Sequence, residues 1–202
     1  MKLSELTLDA TRATLGGVAL YQTIAAITAS TSTRGDATAT ARANAIGAMV
    51  CLIAASVYHR MKSTSGADVE DLRHADWLVT CPLMLWEIYV LLGIDIGRHA
   101  WSFALSIVAI TVCIVLGRRA VDGKRGKRGI YFALATAAFA IMLVNVGLLA
   151  DWSRAEHVAP LVFLGVWALY PIAFWEKSGS AYNVLDLVSK GAFGLYVGSK
   201  AF

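Results

Sequence analysis

The sequence predicts an all-α protein, a bundle of seven transmembrane helices. Three observations predict it. Of 202 residues, 57% are hydrophobic and the mean hydropathy is +0.61, too apolar for an ordinary soluble domain. A spanning helix needs about 20 mainly apolar residues, and seven such stretches with short connections use nearly the whole chain. Most of the charge gathers in the connections between those stretches. The expectation is one compact membrane domain over residues 1–202.

Taken in order, residues 1–12 are mixed and polar and read as an interfacial lead-in. The first span, 13–31, is rich in Ala, Thr and Gly; no separate cleavable leader is visible, so this span is expected to act as the insertion signal. A polar loop over 32–42 precedes the second span, 43–59, and Lys62 to Asp71 is a charged connection. The third span, 72–94, contains Pro82, which should kink it and free a backbone carbonyl. The fourth covers 99–117. Arg118 to Arg128 is then a strongly basic connection, read as a loop at lipid headgroups rather than a nucleic-acid contact. The fifth covers 129–150, with Asp151 to Glu156 as its polar turn. The sixth, 157–175, contains Pro171; Glu176 to Ser180 is a tight loop, and the seventh span is 181–199. Cys51, Cys81 and Cys113 all fall inside spans, and an odd number of buried thiols gives no disulfide framework.

The third span carries ionisable groups that a membrane helix ordinarily avoids. Arg73 and Asp76 are i,i+3, and Asp76 and Thr80 are i,i+4 on one face. Asp76 and Glu87 are eleven positions apart, close to three whole turns and roughly 16 Å, so both carboxyls point the same way. Each such carboxyl costs on the order of 2.5–3.5 kcal/mol at mid-span, and groups of this kind usually face the bundle interior along an ion or proton path.

A partner stands near the other end of the chain. Lys190 lies about nine residues, roughly 13 Å, from either end of its span, farther than a lysine can snorkel. Two readings stand at this point. One is a structural ion pair. The other is chemical, because a desolvated lysine amine forms Schiff bases with carbonyl compounds. Asp186, one turn before Lys190, would stabilise a protonated imine, and Asp76 would be a second carboxylate.

The patterns Arg73-x-x-Asp76-Trp77-x-x-Thr80-x-Pro82, Trp167-x-x-Tyr170-Pro171 and Asp186-x-x-x-Lys190 resemble helices 3, 6 and 7 of the microbial rhodopsins. Tyr131-Phe132, Thr136 and Phe139 fit the fifth helix more loosely, and the seven-span layout matches over nearly the full length. The resemblance implies all-trans retinal bound as a Schiff base on Lys190. It implies Asp76 as primary counter-ion and proton acceptor, Asp186 as second counter-ion, Arg73 as their balance from the outer side, and Thr80 hydrogen-bonded to Asp76. Glu87 takes the place of a cytoplasmic proton donor. An Asp-Thr-Glu set is similar to that of proteorhodopsin-like outward pumps, whereas sensory members usually lack the last carboxyl. Trp77, Trp167, Tyr170, Phe174 and Phe132 match retinal-pocket positions; Cys81, Thr136, Phe139 and Pro171 go with them. Met84 holds a colour-tuning position and suggests green absorption. Tyr58 is expected near the counter-ions, and Trp86 toward lipid.

Three departures accompany the resemblance. The proton-release glutamate pair is not matched: its inner member falls at Ser178, leaving Glu176. Cys81 stands where channel-type relatives often carry cysteine, although the second span lacks their row of glutamates and has only Cys51 and Ser56 in its middle. The third is charge. With the N-terminus outside, the outer face holds Lys2, Arg12, Arg60, Lys62, Arg73, Lys177 and the basic connection, against Arg34, Arg42, Arg98, Arg154 and Lys200 inside, opposite to the positive-inside rule. The motif order still favours that orientation.

The function this implies is a light-driven outward proton pump in the cell membrane, an ion transporter rather than an enzyme. Its partners would be retinal, protons and the lipid bilayer, with a homo-oligomer (trimer or pentamer) and no nucleic acid. The alternatives are a light-gated channel or photosensor, an inward pump if the topology is inverted, and, from another class, a pigment-free proton-coupled transporter.

Overall fold

A computed structural model describes residues 3–122, 125–176 and 178–202. Five rods are single helices: α1 (Leu3–Ser30), α2 (Ala37–Met61), α3 (Ala67–Leu91), α4 (Ala100–Asp122) and α5 (Arg125–Leu149). The sixth rod is α6 (Ala155–Val166), a 3₁₀ turn over Trp167–Leu169, and α7 (Tyr170–Trp175). The seventh is α8 (Gly179–Asp186), a π-helical turn over Leu187–Ala192, and α9 (Phe193–Ser199). Successive rods pack side by side, and the first closes against the seventh.

Both irregular turns have local causes or consequences. Pro171 has no N–H to offer the carbonyl of Trp167 four residues earlier; the Tyr170 N–H bonds that carbonyl instead, which tightens the turn. In the seventh rod the Phe193 N–H reaches Val188 O, five residues back. The widened turn contains Lys190. Helix α3 runs as one element through Pro82.

Several boundaries differ from expectation. Helix α1 begins in the presumed lead-in, because its polar residues have partners on other rods: Asp9 pairs with Lys62 (2.9 Å), and the Thr11 hydroxyl meets Asn183 O (3.5 Å). Helix α2 begins at Ala37, inside the expected loop, with the Thr40 N–H bonded to Asp36 O. The basic connection is largely helical. Arg118 hydrogen-bonds Asp71 on α3 (2.5 Å) and pairs with Asp122 one turn along α4 (2.6 Å), so its charge is used between helices. Lys2, Gly123, Lys124 and Lys177 lie outside the described residues. Helix α3 stops at Leu91, short of residue 94, because Gly93 takes φ +63° and the Ile94 N–H folds back to Tyr89 O (3.0 Å).

The bundle buries several charges within a largely apolar interior and turns large apolar side chains outward. Arg73, Asp76, Thr80, Glu87, Asp186 and Lys190 are buried, while Leu52, Val144, Leu148 and Trp101 face outward. Water would favour the reverse, so the outer faces suit hydrocarbon. Four stretches among the described residues, including Ala37–Met61 and Ala100–Asp122, are long and apolar enough to cross a membrane on composition alone. The third and seventh rods are not among them, and they carry the buried charges. Close approach of α1 and α9 depends on Gly194, where a methyl group would fall 2.6 Å from Val18 Cγ1. All three cysteines are free.

Candidate functional site

The centre is Lys190. Its Nζ lies 2.5 Å from Asp76 Oδ2 and 3.4 Å from Asp186 Oδ2, with all three side chains only 1% exposed. Residues 114 positions apart are thus brought together by packing α3 against the seventh rod. Arg73, also buried, supplies the second positive charge, so two cations stand against two carboxylates and neither sign is stranded.

The two carboxylates differ sharply in their partners. Asp186 accepts from Tyr58 OH (2.9 Å), Trp77 Nε1 (3.2 Å) and Tyr170 OH (2.5 Å) as well as Lys190. Tyr170 OH also meets Ser189 Oγ at 3.0 Å. Asp76 accepts only from Lys190; its Oδ1 has no protein partner among the described residues. Thr80 does bond Asp76, but at the main-chain carbonyl (2.9 Å) rather than the carboxylate. Arg73 reaches Tyr58 OH (3.4 Å) and Asn183 Oδ1 (3.2 Å), stands 3.9 Å from Glu70, and lies over the Tyr182 ring at 5.0 Å.

Beside the amine opens an almost wholly apolar cavity of about 110 Å³. Its walls include Trp77, Cys81 and Met84 from α3, Phe132, Thr136 and Phe139 from α5, and Trp167, Tyr170, Pro171 and Phe174 from the sixth rod, with Lys190 and Asp186 at its polar end. Every residue expected at a pocket therefore borders this cavity except Tyr58, which instead bonds Asp186. The Trp77 ring meets the Tyr170 and Tyr182 rings edge-on, and Phe132 stacks on Phe174 at 5.3 Å.

Other expected residues stand apart. Glu87 is 1% exposed, lies on the same helix as Asp76, and is in no ion pair among the described residues; its Oε1 has no protein partner. Ser178 caps α8 by accepting from the Ala181 N–H (3.2 Å), and Glu176 is exposed beside it. Trp86 is 45% exposed on the outer face, as expected of a lipid-facing ring.

The expected residues omit part of the site. His74, Tyr182 and Ser189 border the cavity, as does a face of α4 formed by Ile110, Cys113, Ile114 and Gly117. The α4 residues repeat at helical spacing, and Tyr182 stands one turn before Asp186, so both signals were present in the chain.

The family described as bacteriorhodopsin-like protein matches residues 9–201. A bacteriorhodopsin from Haloterrigena sp. (strain arg-4) is 30% identical over 146 residues, 61% of this chain and 56% of that protein. The match thus spans little more than half the length of that curated relative. Among solved structures, the viral rhodopsin OLPVRII superposes with a TM-score of 0.82 at 20% identity, covering 100% of both chains. Xanthorhodopsin, described as a light-driven ion pump with dual chromophore, gives 0.79 at 20% identity, covering 98% of this chain and 92% of that one. At such identities these two likenesses speak to the fold.

Proposed function

The chain belongs to the bacteriorhodopsin-like family, and from that membership we propose that it is a light-driven outward proton pump. The family's members are multi-pass membrane proteins that hold retinal on a buried lysine, and Lys190 is a buried lysine in mid-rod here.

The cavity fits that group. One amine stands at the end of an apolar slot walled by Trp77, Met84, Phe139 and Trp167, which suits a long polyene with a single carbonyl end. Bound there, retinal supplies light absorption and an isomerisation that re-aims the proton on Lys190 Nζ. The remaining work falls to side chains. Asp76 is the acceptor: one oxygen faces Nζ and the other has no donor among the described residues, so a proton can settle there without displacing any of their hydrogen bonds. Asp186 keeps its negative charge because four donors converge on it, and a proton would have to displace one of them. Arg73 balances the pair from the Glu70 side. Glu87, buried without a cation, holds a proton in reserve and returns it to Nζ, since an unpaired charge there would be expensive. The outward direction is supported by the motif order: in the family that it resembles, the residues matching Arg73 and Asp76 stand in the outer half.

The observation that carries this reading is Lys190 Nζ held at 2.5 Å from Asp76, with a second isolated carboxyl, Glu87, farther along the same helix. The experiment has two arms. With added all-trans retinal, membranes should show a visible band that Lys190→Ala abolishes. Illuminated vesicles of known sidedness should then move protons in the outward sense, and Asp76→Asn should stop this while keeping the pigment. A coloured protein that moves no protons, or moves them inward, would refute the outward pump.

A further inference from the structure

Close to Glu87 stands a side chain with no assigned role, Gln22 of α1. It is 0% exposed, and neither Nε2 nor Oε1 has a hydrogen-bond partner among the described residues. Polar groups this deeply buried are hydrogen-bonded in the great majority of proteins. Gln22 is fitted between two bare backbone faces. A methyl group on Gly47 of α2 would fall 2.6 Å from Glu87 Oε1 and closer still to Gln22 Nε2. A methyl group on Gly194 of α9 would fall 2.8 Å from Gln22 Oε1. The amide nitrogen is therefore on the Glu87 side, over Gly47, and the amide oxygen on the Gly194 side. Any side chain at position 47 would fill the space in which Gln22 and Glu87 meet. One turn along α2 from Gly47, Cys51 Sγ contacts the main-chain carbonyl of Lys190 at 3.7 Å, so the same face of α2 meets the rod that carries the amine.

We propose that Gln22 is a positioning residue for Glu87, its Nε2–H donating to Glu87 Oε1 directly or through one water, and that Gly47 is bare to permit this. The inference rests on the reading of Glu87 as proton donor. An N–H aimed at Oε1 stabilises that oxygen as its proton leaves, so the contact speeds the return of the proton to Lys190 Nζ. It leaves the charges around Lys190 untouched, because Gln22 bonds none of them.

The test uses the retinal-loaded protein and two readouts. One is the infrared carboxyl stretch of Glu87 in light-minus-dark spectra, identified by its loss in Glu87→Gln. The other is the rate and pH dependence of recovery of the visible band after a flash. Gln22→Met, of similar length and without hydrogen bonds, should move the Glu87 stretch to higher frequency. It should also slow recovery about tenfold, the effect of losing one hydrogen bond to a developing charge. The dark absorption band should stay in place and show that the protein is folded. Gly47→Ala, which forces the two groups apart, should move the same stretch and rate, and it serves as the deciding variant if Gln22→Met yields no pigment. If Glu87→Gln leaves recovery unchanged, the donor reading fails and takes this inference with it. If Glu87→Gln slows recovery while Gln22→Met and Gly47→Ala keep the wild-type stretch and rate, the inference about Gln22 alone is overturned.

Discussion

Replacing Asp186 by Asn should destabilise the protein about three times as much as replacing Asp76 by Asn, although both carboxylates face one amine. The reason lies in where an amide nitrogen would have to go. At Asp186, placing it at Oδ1 turns it against Trp77 Nε1 (3.2 Å), a donor that cannot reverse. Placing it at Oδ2 turns it against Lys190 Nζ (3.4 Å), which cannot reverse either. One hydrogen bond to a charged group is therefore lost outright, and the remaining ones lose their ionic character. With such bonds contributing roughly 1.5–3 kcal/mol and neutral ones about 0.5–1.5, the sum is about 3–6 kcal/mol. At Asp76 the nitrogen can take the Oδ1 position, where no protein donor stands, and the amide oxygen still faces Lys190. Only the charge assistance of one bond is lost, about 1–2 kcal/mol. The assay is loss of the visible band at a fixed elevated temperature in one detergent. A difference of about 2 kcal/mol expressed in the unfolding rate makes the Asp186→Asn half-time roughly thirtyfold shorter. Equal half-times, or a faster loss in Asp76→Asn, would refute the claim that the two carboxylates differ through their donors.

Three further outcomes follow from local geometry. Gly93→Ala should lower stability by about 1–2 kcal/mol in thermal melts, because φ +63° is unfavourable for a residue with a Cβ; Gly93→Asn should lower it less. Gly194→Val should cost about 1–3 kcal/mol by the same measurement, since even a methyl group there would stand 2.6 Å from Val18 Cγ1. In the turn between α5 and α6, the Ser153 hydroxyl (2.6 Å) and N–H (3.0 Å) hold the Asp151 carboxyl below its ordinary range. The stabilisation they give is whole above the ordinary carboxylate range and lost as pH falls through the lowered value. Carbon-detected NMR titration of labelled protein should show Asp151 titrating at higher pH in Ser153→Ala; an unmoved titration would remove the hydroxyl as the cause.

What could be read from the chain alone follows from how loudly each residue departs from its surroundings. Lys190, Asp186, Asp76 and Glu87 are charges in apolar helices, and such charges need partners; three of them meet within 3.4 Å. The aromatic walls were legible through the Trp167-x-x-Tyr170-Pro171 pattern, and they border one cavity. Gln22 and Asn44 were not legible, because a neutral amide among Ala, Thr and Gly breaks no pattern, and its importance lies in which glycine faces it. Nor does a sequence show which oxygen of Asp186 takes which donor. Helix ends were misplaced where polar residues bond another rod instead of water. Asp9 with Lys62 extends α1, and Arg118 with Asp71 turns much of a presumed loop into helix.

The two halves of the bundle handle buried polarity in opposite ways. On the Arg73 side, Tyr58, Trp77, Tyr170, Asn183 and Asp186 form a continuous hydrogen-bonded set, in which moving one group disturbs several. On the Glu87 side, Gln22, Asn44 and Glu87 each keep at least one polar atom without a partner among the described residues, and the backbones come close at Gly47 and Gly194. A densely bonded network resists rearrangement even with Arg73 Nε left over, whereas a sparsely bonded one has fewer contacts to lose. The charge pattern next to Lys190 is thus held firm on one side, and the hydrogen bonds free to change lie on the other. The proposed proton transfer, in which Lys190 gives in one direction and receives from the other, would use that inequality. It arises here from donor placement rather than from any difference in the number of carboxylates.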